Sequence, residues 1–203
     1  MEYYMFNKPR GCVTARTDPR HKTVMDYFPE EKRNQLFPVG RLDKDTEGFL
    51  LITDDGKLSY EIMMPEHKVS KTYFFWAKGN LNHEKLLNLR GGAPIYHNSD
   101  VLTAPARIEL LSDGTLGDIK DLISADELKI AHRRPQLPVF SGTVTITEGK
   151  KHEVKLMLKY VGCKIIYLKR LAIGNLILDP ELSVGRYRAI DSDEIEKLKH
   201  NLV

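Results

Sequence analysis

The sequence predicts an α+β fold with a mixed or antiparallel sheet, and three observations carry that prediction. Short segments rich in β-branched and aromatic residues recur between Gly, Pro and Asp. Apolar stripes at helical spacing fall between them. The two kinds do not alternate strictly, which argues against a doubly wound parallel sheet.

Taken in order, the first strand spans Tyr3 to Phe6 and the second Phe49 to Thr53. A helix over Leu58 to Met63 follows the turn Asp54-Asp55-Gly56, and a strand from Val69 to Ala77 comes next. Asn82 is placed to cap a helix over His83 to Arg90, which ends at Gly91-Gly92. After a strand at Ala106 to Leu111, Ser112 to Ser141 reads as an excursion from the sheet, partly loop, whose tip could touch a ligand. A strand at Gly142 to Thr147 leads to the clearest helix, Lys151 to Val161, where Val154, Met157, Leu158 and Val161 form one stripe. Gly162 ends it. Lys151, Lys155 and Lys159 line up on another face, with His152 beside them. A strand at Lys164 to Leu168 follows, and a last helix starts near Asp191, with Glu194 at capping-box spacing.

A chain of 203 residues can bury a sizeable core, and one folding unit, residues 1–203, is expected. Hydrophobic content of 41% with 29% charged residues excludes disorder as the default. The apolar runs fall far short of the roughly 20 residues that span a bilayer. MEYYMFNKPRG lacks the features of a signal peptide, so a cytoplasmic protein is expected. Cys12 and Cys163 stand apart from any zinc-like spacing and read as free thiols.

Net charge is only +3, yet Gly149 to Arg170 holds seven Lys or Arg against the one acid Glu153. Such a block is the footprint of a polyanion-binding surface, or else a solvated helix face.

The stretch VGRLDKDTEGFLLITDDG, Val39 to Gly56, sets five carboxylates and two basic side chains around an apolar run. Asp43, Asp45, Glu47, Gly48 and Asp54 have EF-hand spacing, but Phe37-Pro-Val-Gly40 is no entering helix, and Phe49 to Ile52 reads as a strand. No metal site is expected. A turn accounts for Asp45, Thr46 and Gly48, and leaves Arg41 and Asp43 without a local reason.

Gly40-Arg-Leu-Asp43, Asp45-Thr46, Gly48-Phe-Leu-Leu and Thr53-Asp-Asp-Gly56 together resemble the central motif of the RsuA-like family of RNA pseudouridine synthases. Asn7-Lys-Pro-Arg-Gly11, Lys71-Thr-Tyr73, Ile146 to Lys155 and Gly185-Arg-Tyr-Arg188 resemble its other motifs, in the right order. The resemblance implies the pseudouridine synthase catalytic fold: a central, mostly antiparallel mixed sheet flanked by helices, with a catalytic cleft. The family's amino-terminal S4 RNA-binding domain is not expected, because the catalytic pattern starts at Tyr3. Glu153 stands where the family commonly has Gln, and Leu156 where a basic residue is frequent.

The implied reaction breaks the bond from uracil N1 to ribose C1′, turns the base and rejoins it through C5. It needs no cofactor. Asp43 matches the catalytic aspartate, which either attacks C1′ or takes a sugar proton. Lys155 matches the cation that keeps this acid ionised. Tyr73 matches the aromatic residue that stacks on the flipped uracil, a contact worth about 1–3 kcal/mol. Arg41, Lys71, Lys150, Lys151 and His152 are the RNA-binding candidates, positioning phosphates without reading sequence; Lys8 and Arg170 are weaker ones. The expected partner is ribosomal RNA, small-subunit RNA favoured, or a ribosome-assembly intermediate, bound by a monomer without a membrane. A large-subunit target and a non-catalytic RNA-binding factor are the alternatives.

Overall fold

The structure, a computed structural model, describes residues 1–95 and 101–200. In chain order its elements are β1 (Tyr3–Lys8), α1 (Glu30–Arg33), β2 (Phe37–Pro38), β3 (Glu47–Thr53), α2 (Gly56–Met63), β4 (Lys71–Lys78), α3 (His83–Arg90) and β5 (Arg107–Thr115). There follow α4 (Ala125–Arg133), β6 (Pro138–Ile146), α5 (Glu153–Tyr160), β7 (Lys164–Ile173), β8 (Leu176–Ile177), β9 (Tyr187–Ala189) and α6 (Ser192–Lys199). The pattern is a mixed sheet with helices on its flanks. The chain divides into two compact units, one formed by Met1–Lys71 with the segment from Lys169 onward, the other by Thr72–Leu168.

In the first unit the strand order is β7-β3-β1-β9. β1 pairs antiparallel with both β3 and β9, Tyr3 lying opposite Thr53 and Lys8 opposite Gly48. β3 also pairs in parallel with β7, Glu47 opposite Lys169 and Gly48 opposite Arg170. All seven residues of β3 are buried, which suits a strand covered on both faces. On one face Met5, Phe49 and Leu51 pack with Leu58 and Ile62 of α2 and with Ile195 and Leu198 of α6. Elsewhere in the unit Tyr4 meets the Phe28 ring edge-on, and Phe28 stacks on Tyr187 with ring centroids 4.2 Å apart. α6 begins with the full Asp191–Glu194 capping box expected from the sequence.

In the second unit the order is β5-β6-β4-β7. The segment 112–141 is more regular than expected. Ser112 to Thr115 continues β5 and Pro138 to Ser141 already belongs to β6, while α4 fills the connection. A satellite core of Leu116, Ile119, Ile123, Ala131 and Val139, packed against Trp76, makes this extension worth forming. Glu127 on α4 pins it down through Lys78 Nζ at 2.6 Å and Lys164 Nζ at 2.7 Å.

Asn82 caps α3 and the helix ends at Gly91-Gly92 as expected, Gly92 taking the left-handed position with φ +94. One local expectation shifts. α5 starts at Glu153, so Lys151 lies in the preceding turn and off the helical row of Lys155 and Lys159.

Candidate active site

In the first unit the acidic motif forms a loop, residues 39–46, that enters β3. Gly40 has φ +69, and a Cβ there would sit 2.8 Å from Met63 Sδ. Arg41 is exposed and Asp43 half-buried. Asp43 O accepts the N–H of Thr46 at 3.1 Å, closing a turn through Lys44 and the exposed Asp45. Gly48, read from sequence as a turn residue, lies inside β3: a Cβ on it would come 2.2 Å from Arg170 O, so only glycine permits the parallel pairing. Glu47 forms an ion pair with Arg10 at 2.8 Å. A strand thus occupies the middle of what would have been a calcium loop.

The loop is held from beneath by Lys8. Its side chain is fully buried, and Nζ donates to the carbonyl oxygens of Asp43 at 3.0 Å, Thr46 at 2.9 Å and Pro9 at 3.0 Å. Burial draws the Lys8 ammonium below the usual lysine range, while Cys12, Asp45, Asp43 and Glu47 favour its charge. Thr14 adds a second tie, its hydroxyl donating to Leu42 O at 2.7 Å and accepting the Leu42 N–H at 3.1 Å. Arg170 is also buried, with Nε donating to Phe49 O at 2.7 Å. Lys8 and Arg170 therefore brace the backbone and present no open surface to a phosphate.

In the second unit Tyr73 is 8% exposed on β4. Burial alternates cleanly along this strand, so Phe75 is core, meeting the Phe140 ring edge-on at 6.0 Å. Lys155 is half-buried in the first turn of α5. The turn before α5 exposes Lys151 and His152, the latter in the left-handed region at φ +57. Lys150 is not open: its ammonium lies 2.9 Å from Glu148 Oε2 and donates to Leu102 O at 3.3 Å. Lys71, at the start of β4, is buried. Of the five RNA-binding candidates, Arg41, Lys151 and His152 are thus the exposed ones.

Sequence reading missed the clamp formed by Lys8 and Thr14. It also missed the company of Glu153, which is 3% exposed and lies against Glu148. The signal for Lys8 was its place in line with Tyr4 and Phe6 on one face of β1, a face otherwise aromatic.

A family model described as RNA pseudouridylate synthase matches residues 2–160. A Bacillus subtilis protein described as uncharacterized RNA pseudouridine synthase YtzG is 39% identical over 197 residues, covering 97% of this chain and 72% of its own. The ribosomal small subunit pseudouridine synthase A of Escherichia coli K12 is 33% identical over 193 residues, covering 95% and 72%. A crystal structure of a pseudouridylate synthase, 31% identical, superposes with a TM-score of 0.79 over 97% of this chain and 73% of that one. Human RNA pseudouridylate synthase domain containing 1, at 12% identity and a TM-score of 0.52 over 99% of this chain and 91% of its own, shares the fold.

Proposed function

Since this chain belongs to the RNA pseudouridylate synthase family, we propose that it isomerises one uridine of small-subunit ribosomal RNA to pseudouridine, with the carboxylate of Asp43 acting on the ribose. The bond from N1 to C1′ breaks, the base turns, a bond from C5 to C1′ forms, the proton left on C5 goes to solvent, and N1 takes one proton from solvent in return. Every atom of the product comes from the same nucleotide and water, so the chemistry asks for no redox partner or group donor.

One observation carries the choice of RNA. Relatives named ribosomal small subunit pseudouridine synthase A align with 95% of the chain, at 34% identity in Yersinia pestis and 33% in Escherichia coli. For the choice of acid, the support is the loop itself: Lys8 bonds to the carbonyl of Asp43, so the backbone that carries this carboxylate is anchored. Tyr73 is assigned the stacking role and Lys155 that of the cation for the acid. Arg41, Lys151 and His152 are assigned phosphate contacts, with Lys71 and Lys150 in supporting places. We read both units as parts of one catalytic domain working in the cytoplasm, as a monomer, on ribosomal RNA or an assembly intermediate. Among the described residues no helix is long and apolar enough to cross a membrane.

The test is Asp43→Asn with a small-subunit RNA fragment as substrate. Pseudouridine formation should fall by at least about 1,000-fold, as expected when a covalent or acid–base group is removed, while RNA affinity changes little. Unchanged product formation would refute the assignment. Pseudouridine mapping in a strain lacking the protein identifies the RNA, and a lost mark in large-subunit or transfer RNA would replace the substrate named here.

A further inference from the structure

The turn into α5 contains two carboxyl groups that the proposed reaction does not use. Glu148 follows β6 and Glu153 opens α5, both in the second unit. Glu148 is satisfied as an anion: Oε1 accepts the N–H of Ala104 at 2.7 Å and the Lys150 ammonium at 3.0 Å, and that ammonium lies 2.9 Å from Oε2. Glu153 is different. Its Oε2 accepts the Lys150 N–H at 2.8 Å, and its own N–H donates back to Lys150 O at 3.1 Å. Its Oε1 is buried with no donor directed at it.

An ionised Glu153 would leave that oxygen unsatisfied beside a second carboxylate, both conditions costly in a dry site. A proton on Oε1 removes both problems, since the acid then donates to Glu148 and the pair carries one negative charge, matched by Lys150. The charged groups that act most strongly on Glu153 are Glu148, in the turn that follows β6, and Lys150, from the same turn. Burial first, and then Glu148, push the Glu153 carboxyl up to about 7. The turn also holds His152 at φ +57, a conformation that is strained for a residue with a side chain and persists where surrounding bonds impose it.

We propose that a proton shared by Glu148 and Glu153 locks the turn 147–152, making Glu153 a positioning residue for the RNA-contacting Lys151 and His152. Losing that proton to solvent sets two carboxylates against each other, loosens the turn and weakens RNA capture. The RNA half of this inference rests on the function proposed above; the proton and the turn stand without it.

Carboxyl-carbon NMR of the whole protein, titrated from about pH 5 to about pH 9 with Glu153→Gln to assign the signal, reads the proton directly. Glu153 should titrate near neutrality, and the Lys150 and Glu153 amides should exchange faster with solvent through the same transition, beyond the base-catalysed trend of other turn amides. Over that range wild-type affinity for a small-subunit RNA fragment should fall more steeply than that of Glu153→Gln, by about 5-fold. Because glutamine keeps the donor at every pH, the variant should follow only the background trend. Titration in the ordinary carboxylate range, or amide exchange without the transition, would overturn the proposal. So would equal pH slopes for the two proteins. If neither protein binds the RNA at any pH, the functional reading fails, while the carbon titration and amide exchange still decide the shared proton.

Discussion

At Lys8 an ammonium is buried completely and donates hydrogen bonds to three backbone carbonyls. A lysine is almost never so placed unless it is paired, and here the partners are the two ends of the Asp43 turn and the proline beside it. Replacing it with methionine keeps the volume and takes one donor from each of those oxygens, Asp43 O keeping the Thr46 N–H and Pro9 O the Cys12 thiol. Lys8→Met should cost about 2–3 kcal/mol of stability in urea titration, since a buried carbonyl deprived of a charged donor costs about 1–3 kcal/mol and relief of the buried charge returns part. Pseudouridine formation should drop with it, because the backbone of Asp43 loses its anchor. In the sequence, Lys8 beside Arg10 reads as one more surface cation. Its burial comes with the Asp43–Thr46 turn that meets its ammonium from 35 to 38 residues away in the chain, a long-range fact.

Helices here announce their ends when a side chain does the capping. Asp191 accepts the Glu194 N–H at 2.8 Å and Glu194 accepts the Asp191 N–H at 3.1 Å, as the spacing of the two acids foretold. Asp191→Ala should lower stability by about 1 kcal/mol, visible as a reduced thermal midpoint, because one cap is lost without disturbing Ile195 and Leu198 beneath it. α5 is the contrary case. Its apolar stripe was legible, yet its start was not, because His152 leaves helical geometry under bonds from Glu153 to Lys150. The β5–β6 extension escaped for a related reason: Leu116, Ile119 and Val139 come together only once the strands pair.

For the molecule as a whole, Glu153 ties stability to pH. Its folded value of about 7 lies above the ordinary 4.5, so the native state holds the proton more tightly than the unfolded chain. The resulting stability is fully present below 4.5 and is lost as pH rises through about 7. Urea titrations at both ends of that window should show wild type losing stability relative to Glu153→Gln, whose side chain does not titrate. Equal slopes for the two proteins would place the effect elsewhere.

Local periodicity, caps and punctuation brought out β1, β3, β4, β5, β6, β7 and the helices α2, α3, α5 and α6, but not α1, α4 or the short strands β2, β8 and β9, and the ordered run of motifs brought Asp43, Tyr73 and Lys155 forward as candidates through the resemblance they carry. Those signals act over a few residues and survive in any tertiary setting. Tertiary structure alone decided that Lys8, Lys71 and Arg170 are buried, that Gly48 permits a parallel neighbour, and that Glu148 meets Glu153. Burial and desolvation depend on segments far apart in the chain, and no local pattern encodes which of them will close over a given charge.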